Sequence, residues 1–191
     1  YRRRQRQMCI RDRVFDECTR MIIDHVELIR NLVNEFSTFA RFPTASPQPC
    51  QLPPIIEETV SLYREGQPEI TFDVNIGEDI PQMNLDRQQF KQAMINLVDN
   101  AIAAVRNQGK ITILATYDPI LKMVRIEVAD DGVGIADADK IRLFEPNFST
   151  KMGGMGLGLT IVNSIVTDHD GVIRVQDNIP KGAKFVIELP A

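Results

Sequence analysis

The chain has 191 residues, 43% of them apolar, enough for one packed domain with an appendage or for two small ones. Its net charge of −4 is uneven: residues 1–13 (YRRRQRQMCIRDR) hold six Arg and one Asp, and the remainder, with 16 basic and 25 acidic residues, stands at −9. An acidic body argues against a nucleic-acid partner, the short apolar runs fall far below the roughly 20 residues that span a bilayer, and Cys9, Cys18 and Cys50 fit neither a disulfide framework nor a close metal pair.

No basic region followed by an apolar core marks a secretion signal, so a soluble chain in a reducing cytoplasm is expected. Residues 1–13 read as a basic terminal stretch, solvated or extraneous, with tethering as the alternative. From Val14 to Phe42 there is no Gly or Pro, and Ile22, Val26, Ile29, Val33 and Phe36 recur at alternating steps of four and three. This predicts a long helix over 14–42 with a seam for packing on another helix. One such helix cannot bury its own stripe and requires a partner from another segment, a second copy, or both.

Next, FPTASPQPCQLPP places five of the chain's 11 prolines between Pro43 and Pro54, which predicts a helix end at or before Phe42 and a linker over 43–51. A second domain is expected over 52–191. It begins with a short helix, IIEETVSLYRE, and a strand, ITFDVN, followed by a long helix over Arg87–Arg106 with Phe90, Met94, Leu97, Ala101 and Val105 on one face. Two strands, KITILATY and KMVRIEVA, turn at Asp118-Pro119. A helix from about Leu157 to Asp168 precedes two more strands, GVIRVQD and AKFVIELP, joined through Asn178–Gly182. A sheet plus three helices predicts an α/β sandwich over one core.

Three stretches carry candidate chemistry. In VADDGVGI, Asp130 ends a hydrophobic strand and Gly132 and Gly134 follow, so the backbone can approach a ligand closely and a carboxylate can accept from a ligand amine; a plain turn after an edge strand explains the same residues. Asn96 and Asn100, four apart, share a helix face, and amide oxygens suit a hard cation without repelling phosphates. Two solvated helix residues are the alternative there. In KMGGMGLGLT, four of the 11 glycines occupy six consecutive positions, Gly153 to Gly158, before an apolar helix. Backbone N–H groups and the helix dipole there can cradle a polyphosphate, with Lys151 as a mobile charge. The spacing fits neither a P-loop nor a dinucleotide fingerprint, and a flexible lid is the better description.

The order Asn96-x-x-x-Asn100, Asp130-x-Gly-x-Gly134, then LFEPNFSTK and GGMGLGL resembles the catalytic and ATP-binding domain of sensor histidine kinases, within the Bergerat-fold ATPases. The likeness covers about Leu52 to Pro190, and EFSTFARFP is similar to the second dimerisation helix of the nitrogen-regulation type of these kinases. The resemblance implies a two-layer α/β sandwich with a mixed sheet, preceded by that dimerisation helix. It implies ATP and Mg²⁺ as cofactors: Asn100 coordinating Mg²⁺, Asn96 supporting the metal and phosphate end, Asp130 reading the adenine amino group, and Gly132 and Gly134 shaping the floor. Phe144 and Phe148 would anchor the lid, Lys151 would approach the γ-phosphate, and Gly154, Gly156, Leu157 and Gly158 would enclose the phosphates.

Against the family pattern, Met155 replaces a usual Thr or Ser, Asn147 replaces an aromatic, and Ala103 and Ala104 stand where many relatives have a basic residue. No histidine is followed by the acidic residue and proline of the acceptor motif. His169, in DHDG, falls where the family has a structural His-Gly-Gly, and His25 lacks the proline. The resemblance therefore implies an acceptor helix upstream of this chain, a response regulator as partner, a homodimer through residues 14–42, and a cytoplasmic domain of an inner-membrane sensor whose membrane segments also lie upstream. Two other readings remain open: a nucleotide-binding regulatory module without phosphotransfer, and a Bergerat-fold serine kinase or ATPase. A clamp-type ATPase is disfavoured because Asn96 stands where such relatives have a water-activating glutamate.

Overall fold

The computed structural model describes residues 44–106, 108–149 and 156–191, with residues 15, 18–23, 25, 26, 29 and 30 of the preceding stretch. Those preceding residues are helical, and Ile22, Val26 and Ile29 are 64%, 58% and 57% exposed. Their stripe is uncovered by the rest of the described chain. Val33, Phe36 and the helix end expected near Phe42 lie outside the described residues.

The 43–51 stretch, read as a plain linker, contains a strand: β1 (Gln48–Cys50) pairs antiparallel with β3 (Met83–Leu85), Pro49 opposite Asn84. Proline is tolerated there because a two-stranded ribbon is all edge. Helix α1 (Leu52–Arg64) starts with Pro in its first turn, where the lacking N–H is no loss. It buries Leu52, Ile55, Ile56 and Val60.

The main sheet has the order β2-β4-β5-β7-β6, formed by β2 (Ile70–Ile76), β4 (Gly109–Asp118), β5 (Met123–Asp130), β6 (Val172–Asp177) and β7 (Ala183–Pro190). Only β2 and β4 are parallel, so the sheet is mixed. A parallel pair needs a long crossover, and that crossover carries α2 (Arg87–Val105). Period-two alternation fixes which face is covered: Ile111, Ile113 and Ala115, Val124, Ile126 and Val128, and Phe185, Ile187 and Leu189 are buried. Against them pack α1, α2 and α4 (Gly158–Asp168), all five residues expected on the α2 core face being buried. The result is the two-layer sandwich expected from the sequence, with one further short helix, α3 (Asp137–Lys140).

Asp86 caps α2, its Oδ1 accepting from the N–H groups of Gln88 and Gln89 at 3.0 and 3.1 Å and its Oδ2 from Ser46 N–H at 3.1 Å. Burial opposes ionisation of this carboxyl, and the three backbone donors outweigh it and hold it below the usual carboxylate range. The Asp86 N–H in turn donates to Nε2 of His169, whose Nδ1 donates to Ile165 carbonyl, both at 2.7 Å. His169 is 5% exposed and stands edge-on to Phe90. Nδ1 thus fixes the ring to its own helix, and Nε2 joins the end of α4 to the start of α2.

Candidate nucleotide site

The candidate residues come from three elements that meet around α2. Asp130 ends β5 and is 3% exposed; its Oδ1 accepts from the N–H of Gly132 at 2.9 Å and of Ala183 at 3.3 Å. Its neighbour Asp131 has a separate task, accepting the Lys110 N–H at 2.9 Å at the start of β4. Alternation along the strand sends these adjacent carboxylates to different surroundings.

Gly132 is required by close approach. A Cβ there would stand 2.5 Å from the Ala104 carbonyl and 2.8 Å from the Ala104 side chain, and Val133 N–H donates to Ala104 O at 3.3 Å. Ala104, which the sequence marks as lacking a basic group, is the small residue on which the floor rests. Gly134, at φ +73°, faces Gly182.

Asn96 and Asn100 project from α2 one turn apart. Asn96 Nδ2 donates to the carbonyl of Gly158 at 3.2 Å, joining α2 to the first residue of α4. Asp99, beside Asn100, turns to α1 and accepts from Tyr63 Oη at 2.8 Å. Burial and that carboxylate push the Tyr63 phenol well above its ordinary value.

Phe144 and Phe148 are half-buried against the core. Arg142 lies 4.8 Å from the centre of the Phe148 ring and pairs with Glu145 at 3.1 Å. Asn147, between them in the chain, has φ +63°, a left-handed conformation that Asn adopts more readily than an aromatic residue does. Gly156, at φ +67°, lies against the Phe148 backbone, where a Cβ would be 2.3 Å from the Phe148 carbonyl. Leu157 is buried, and Gly158 opens α4 beside Asn96. Lys151 and Gly154, with Gly153 and Met155, lie outside the described residues.

Two residues of this neighbourhood were not singled out from the sequence. Thr160 Oγ1 donates to the carbonyls of Phe144 and Gly156 at 3.3 and 3.4 Å, holding both arms of the glycine-rich stretch to α4. Gln92 Nε2 donates to Asn96 Oδ1 at 3.2 Å. Gln92 precedes Asn96 by the same four-residue step that separates the asparagines, the one signal that could have found it. Lys140 pairs with Asp137 within α3 and pins α3 to the end of β6 through Asp177, both at 2.7 Å, and these two hydrogen bonds raise its ammonium above the ordinary value. Two hollows of about 390 and 720 Å³ lie elsewhere, on the opposite sheet face and at the β4–β5 turn.

The family model for histidine kinase-, DNA gyrase B- and HSP90-like ATPases matches residues 85–191, from the start of α2 to the last strand. The chain belongs to this ATPase family. A curated relative, the nitrogen regulation protein NtrY of Azorhizobium caulinodans, is 37% identical over 183 residues, covering 92% of this chain and 23% of that protein. The chain thus spans about a quarter of the length of that relative. Among solved structures, the catalytic domain of the histidine kinase ThkA is 33% identical with a TM-score of 0.68, covering 76% of this chain and 95% of that domain. ThkA in complex with the response regulator protein TrrA is 28% identical with a TM-score of 0.74, covering 89% of this chain and 49% of that one. The fold around α2 is therefore that of the ATP-binding catalytic domain of sensor histidine kinases.

The donor set suits a nucleotide, as expected for a member of this ATPase family. Asp130 is a buried acceptor at a floor with no room for side chains, and Asn96 meets the first residue of α4. Among the described residues no group of three or more His, Cys, Asp or Glu could hold a metal.

Proposed function

We propose that this chain is the catalytic part of a two-component sensor histidine kinase, passing the γ-phosphoryl group of ATP to a histidine on a preceding helix and thence to a response regulator. The observation that carries it is the buried Asp130 carboxylate, anchored by Gly132 and Ala183, with Gly132 close against Ala104 of the helix that bears Asn96 and Asn100. In this reading Asp130 accepts from the adenine amino group and Gly132 and Gly134 let the base lie against the backbone. Asn100 offers its amide oxygen to Mg²⁺, and Asn96 supports the phosphate end. Phe144, Phe148, Gly154, Gly156, Leu157 and Gly158 enclose the phosphates, and Lys151 approaches the γ-phosphate. Bound Mg²⁺ would supply charge neutralisation, and the α4 N-terminus would add oriented N–H groups.

Neither histidine with described surroundings is the acceptor in this proposal. His169 is buried with both nitrogens engaged, and His25 bonds Met21 O through Nδ1 at 2.7 Å. The ThkA complex supports a receiver domain as partner. The parent protein is a sensor of the inner membrane with this part in the cytoplasm; no helix among the described residues is long and apolar enough to cross a membrane.

The test is calorimetric titration with an ATP analogue and Mg²⁺. The chain should bind, and Asn100→Ala should weaken Mg²⁺-dependent binding about tenfold or more, as loss of a hydrogen bond or ligand to a charged group does. Absence of binding in the parent chain would overturn the proposal. Phosphotransfer is read by supplying the longer protein that includes the preceding helix and following labelled phosphohistidine.

Assembly is the second part of the proposal: the exposed Ile22, Val26 and Ile29 face a second copy in a helical bundle. Ile29→Glu should convert a dimer into monomers in sedimentation or light scattering. An unchanged mass would count against this seam.

A further inference from the structure

Gln92, Asn96 and Gly158 form a chain of amide hydrogen bonds across the two sides of the site. Gln92 Nε2 donates to Asn96 Oδ1, and Asn96 Nδ2 donates to Gly158 O, each at 3.2 Å. The second bond joins residues 62 apart in sequence and ties the middle of α2 to the first residue of α4.

An asparagine amide has two unlike ends. With its oxygen turned to the Gln92 donor, its NH₂ is turned to the Gly158 carbonyl. The reverse orientation would set oxygen against the Gly158 carbonyl oxygen and, unless the Gln92 amide turned over as well, NH₂ against NH₂. The Gly158 carbonyl, which can only accept, therefore sets which way Asn96 faces, and the Gln92 NH₂ on the Asn96 oxygen locks that orientation. Asn100 lies one turn further along the same helix face, so the tie also sets how Asn100 stands relative to the N–H groups that open α4.

We infer that Gln92 is a positioning residue for the nucleotide site, acting through Asn96 to hold the phosphate-facing end of α4 in register with Asn100. This deepens the nucleotide-binding proposal and rests on it. Gln92 touches no reacting atom in this arrangement. Its influence should fall on the phosphate and metal end and not on the adenine end at Asp130, which is built by β5 and the Ala183 N–H.

Glutamate at position 92 is the informative change, because it keeps the shape of Gln while only accepting. Gln92→Glu should draw the Asn96 NH₂ towards itself and point Asn96 Oδ1 at the Gly158 carbonyl. Gln92→Leu removes the donor without enforcing the inverted state. Two readouts follow. In the nucleotide-free chain, the side-chain amide resonances of Asn96 should shift in Gln92→Glu. In titrations, Gln92→Glu should bind the Mg²⁺–ATP analogue about tenfold more weakly than the parent, and Gln92→Leu less than that. ADP binding in chelator should stay at the parent value in both.

Parent-like Mg²⁺–ATP affinity in Gln92→Glu would overturn the inference, as would an equal loss for both ligands, which marks a packing role. Failure of the parent chain to bind any nucleotide would instead overturn the proposed function. The Asn96 resonances would then decide the hydrogen-bond chain by themselves, unshifted signals sinking it.

Discussion

Asp130→Asn is expected to remove nucleotide binding while leaving the chain folded. The two backbone donors, Gly132 and Ala183, face Oδ1 of the native carboxylate, so the amide of an asparagine at 130 must keep its oxygen on that side. Its NH₂ then occupies the position from which the carboxylate would accept the adenine amino group, and donor meets donor. A buried polar contact inverted in this way costs about 3 kcal/mol, or roughly a hundredfold in Kd. Asp130→Ala should behave differently. It leaves the Gly132 and Ala183 N–H groups without that acceptor in a buried site and should also lower stability by about 2 kcal/mol. Calorimetry with ADP and thermal unfolding of both variants separate the two effects. Parent-like ADP affinity in Asp130→Asn would mean that the base is read elsewhere.

That contrast also shows how far residues can be read without their neighbours. A strand ending in Asp130-Asp131 with glycines beyond it is visible as a pattern. Which of the two carboxylates turns inward is also fixed by alternation, because Val128 and Val124 share its face. What the pattern does not carry is the partner from another element: the Ala183 N–H comes from 53 residues away. The long helix α2 and strands β4 to β7 were legible because each repeats one period over six or more residues. Strands β1 and β3 were not, since three residues such as Gln48–Cys50 hold too little alternation to register, and Pro49 in β1 signals a linker. The four-residue α3 escapes for the same reason.

The departures from the family pattern are where position and chemistry part company. Ala104 reads as the loss of a charge until the Gly132 backbone is seen resting on it. Asn147 reads as the loss of an apolar anchor, but its φ of +63° is a conformation in which a short polar side chain is favoured and a large aromatic is strained. The Phe148 ring meanwhile has its own partner in Arg142. Thr160 and Gln92 were invisible for a third reason. The carbonyls that Thr160 meets, at Phe144 and Gly156, are brought to it by the fold, and the four-residue step from Gln92 to Asn96 says nothing of the Gly158 carbonyl that Asn96 meets beyond it. The exposed Ile22, Val26 and Ile29 stripe is the reverse case, a strong period whose partner is a matter of assembly.

Gly182→Ala is the stability change expected to be largest for the smallest addition of atoms. Gly182 sits at φ +104°, and a Cβ there would be 1.9 Å from the Asp130 carbonyl oxygen and 3.0 Å from the Asp131 Cα. All of these are backbone atoms, so no rotamer change can relieve the clash. Nor can the strand end retreat easily: the Asp130 carbonyl accepts from Asn178 Nδ2 at 2.8 Å, and the Asn178 N–H is bonded to Gly182 O at 3.0 Å. Strain at positive φ plus overpacking predicts a loss of about 3 kcal/mol, seen as a fall of about 10 °C in Tm for a chain of this size. Gly66→Ala is the matched control, since a Cβ there meets only the Tyr63 carbonyl at 3.9 Å, and it should leave Tm within a degree or two of the parent. Because the clash falls on the residue proposed to accept from the adenine amino group, Gly182→Ala should also weaken ADP binding at temperatures where the chain is still fully folded. Equal Tm values for the two variants would show that the turn after β6 yields, and that the position of Asp130 is held by β5 alone.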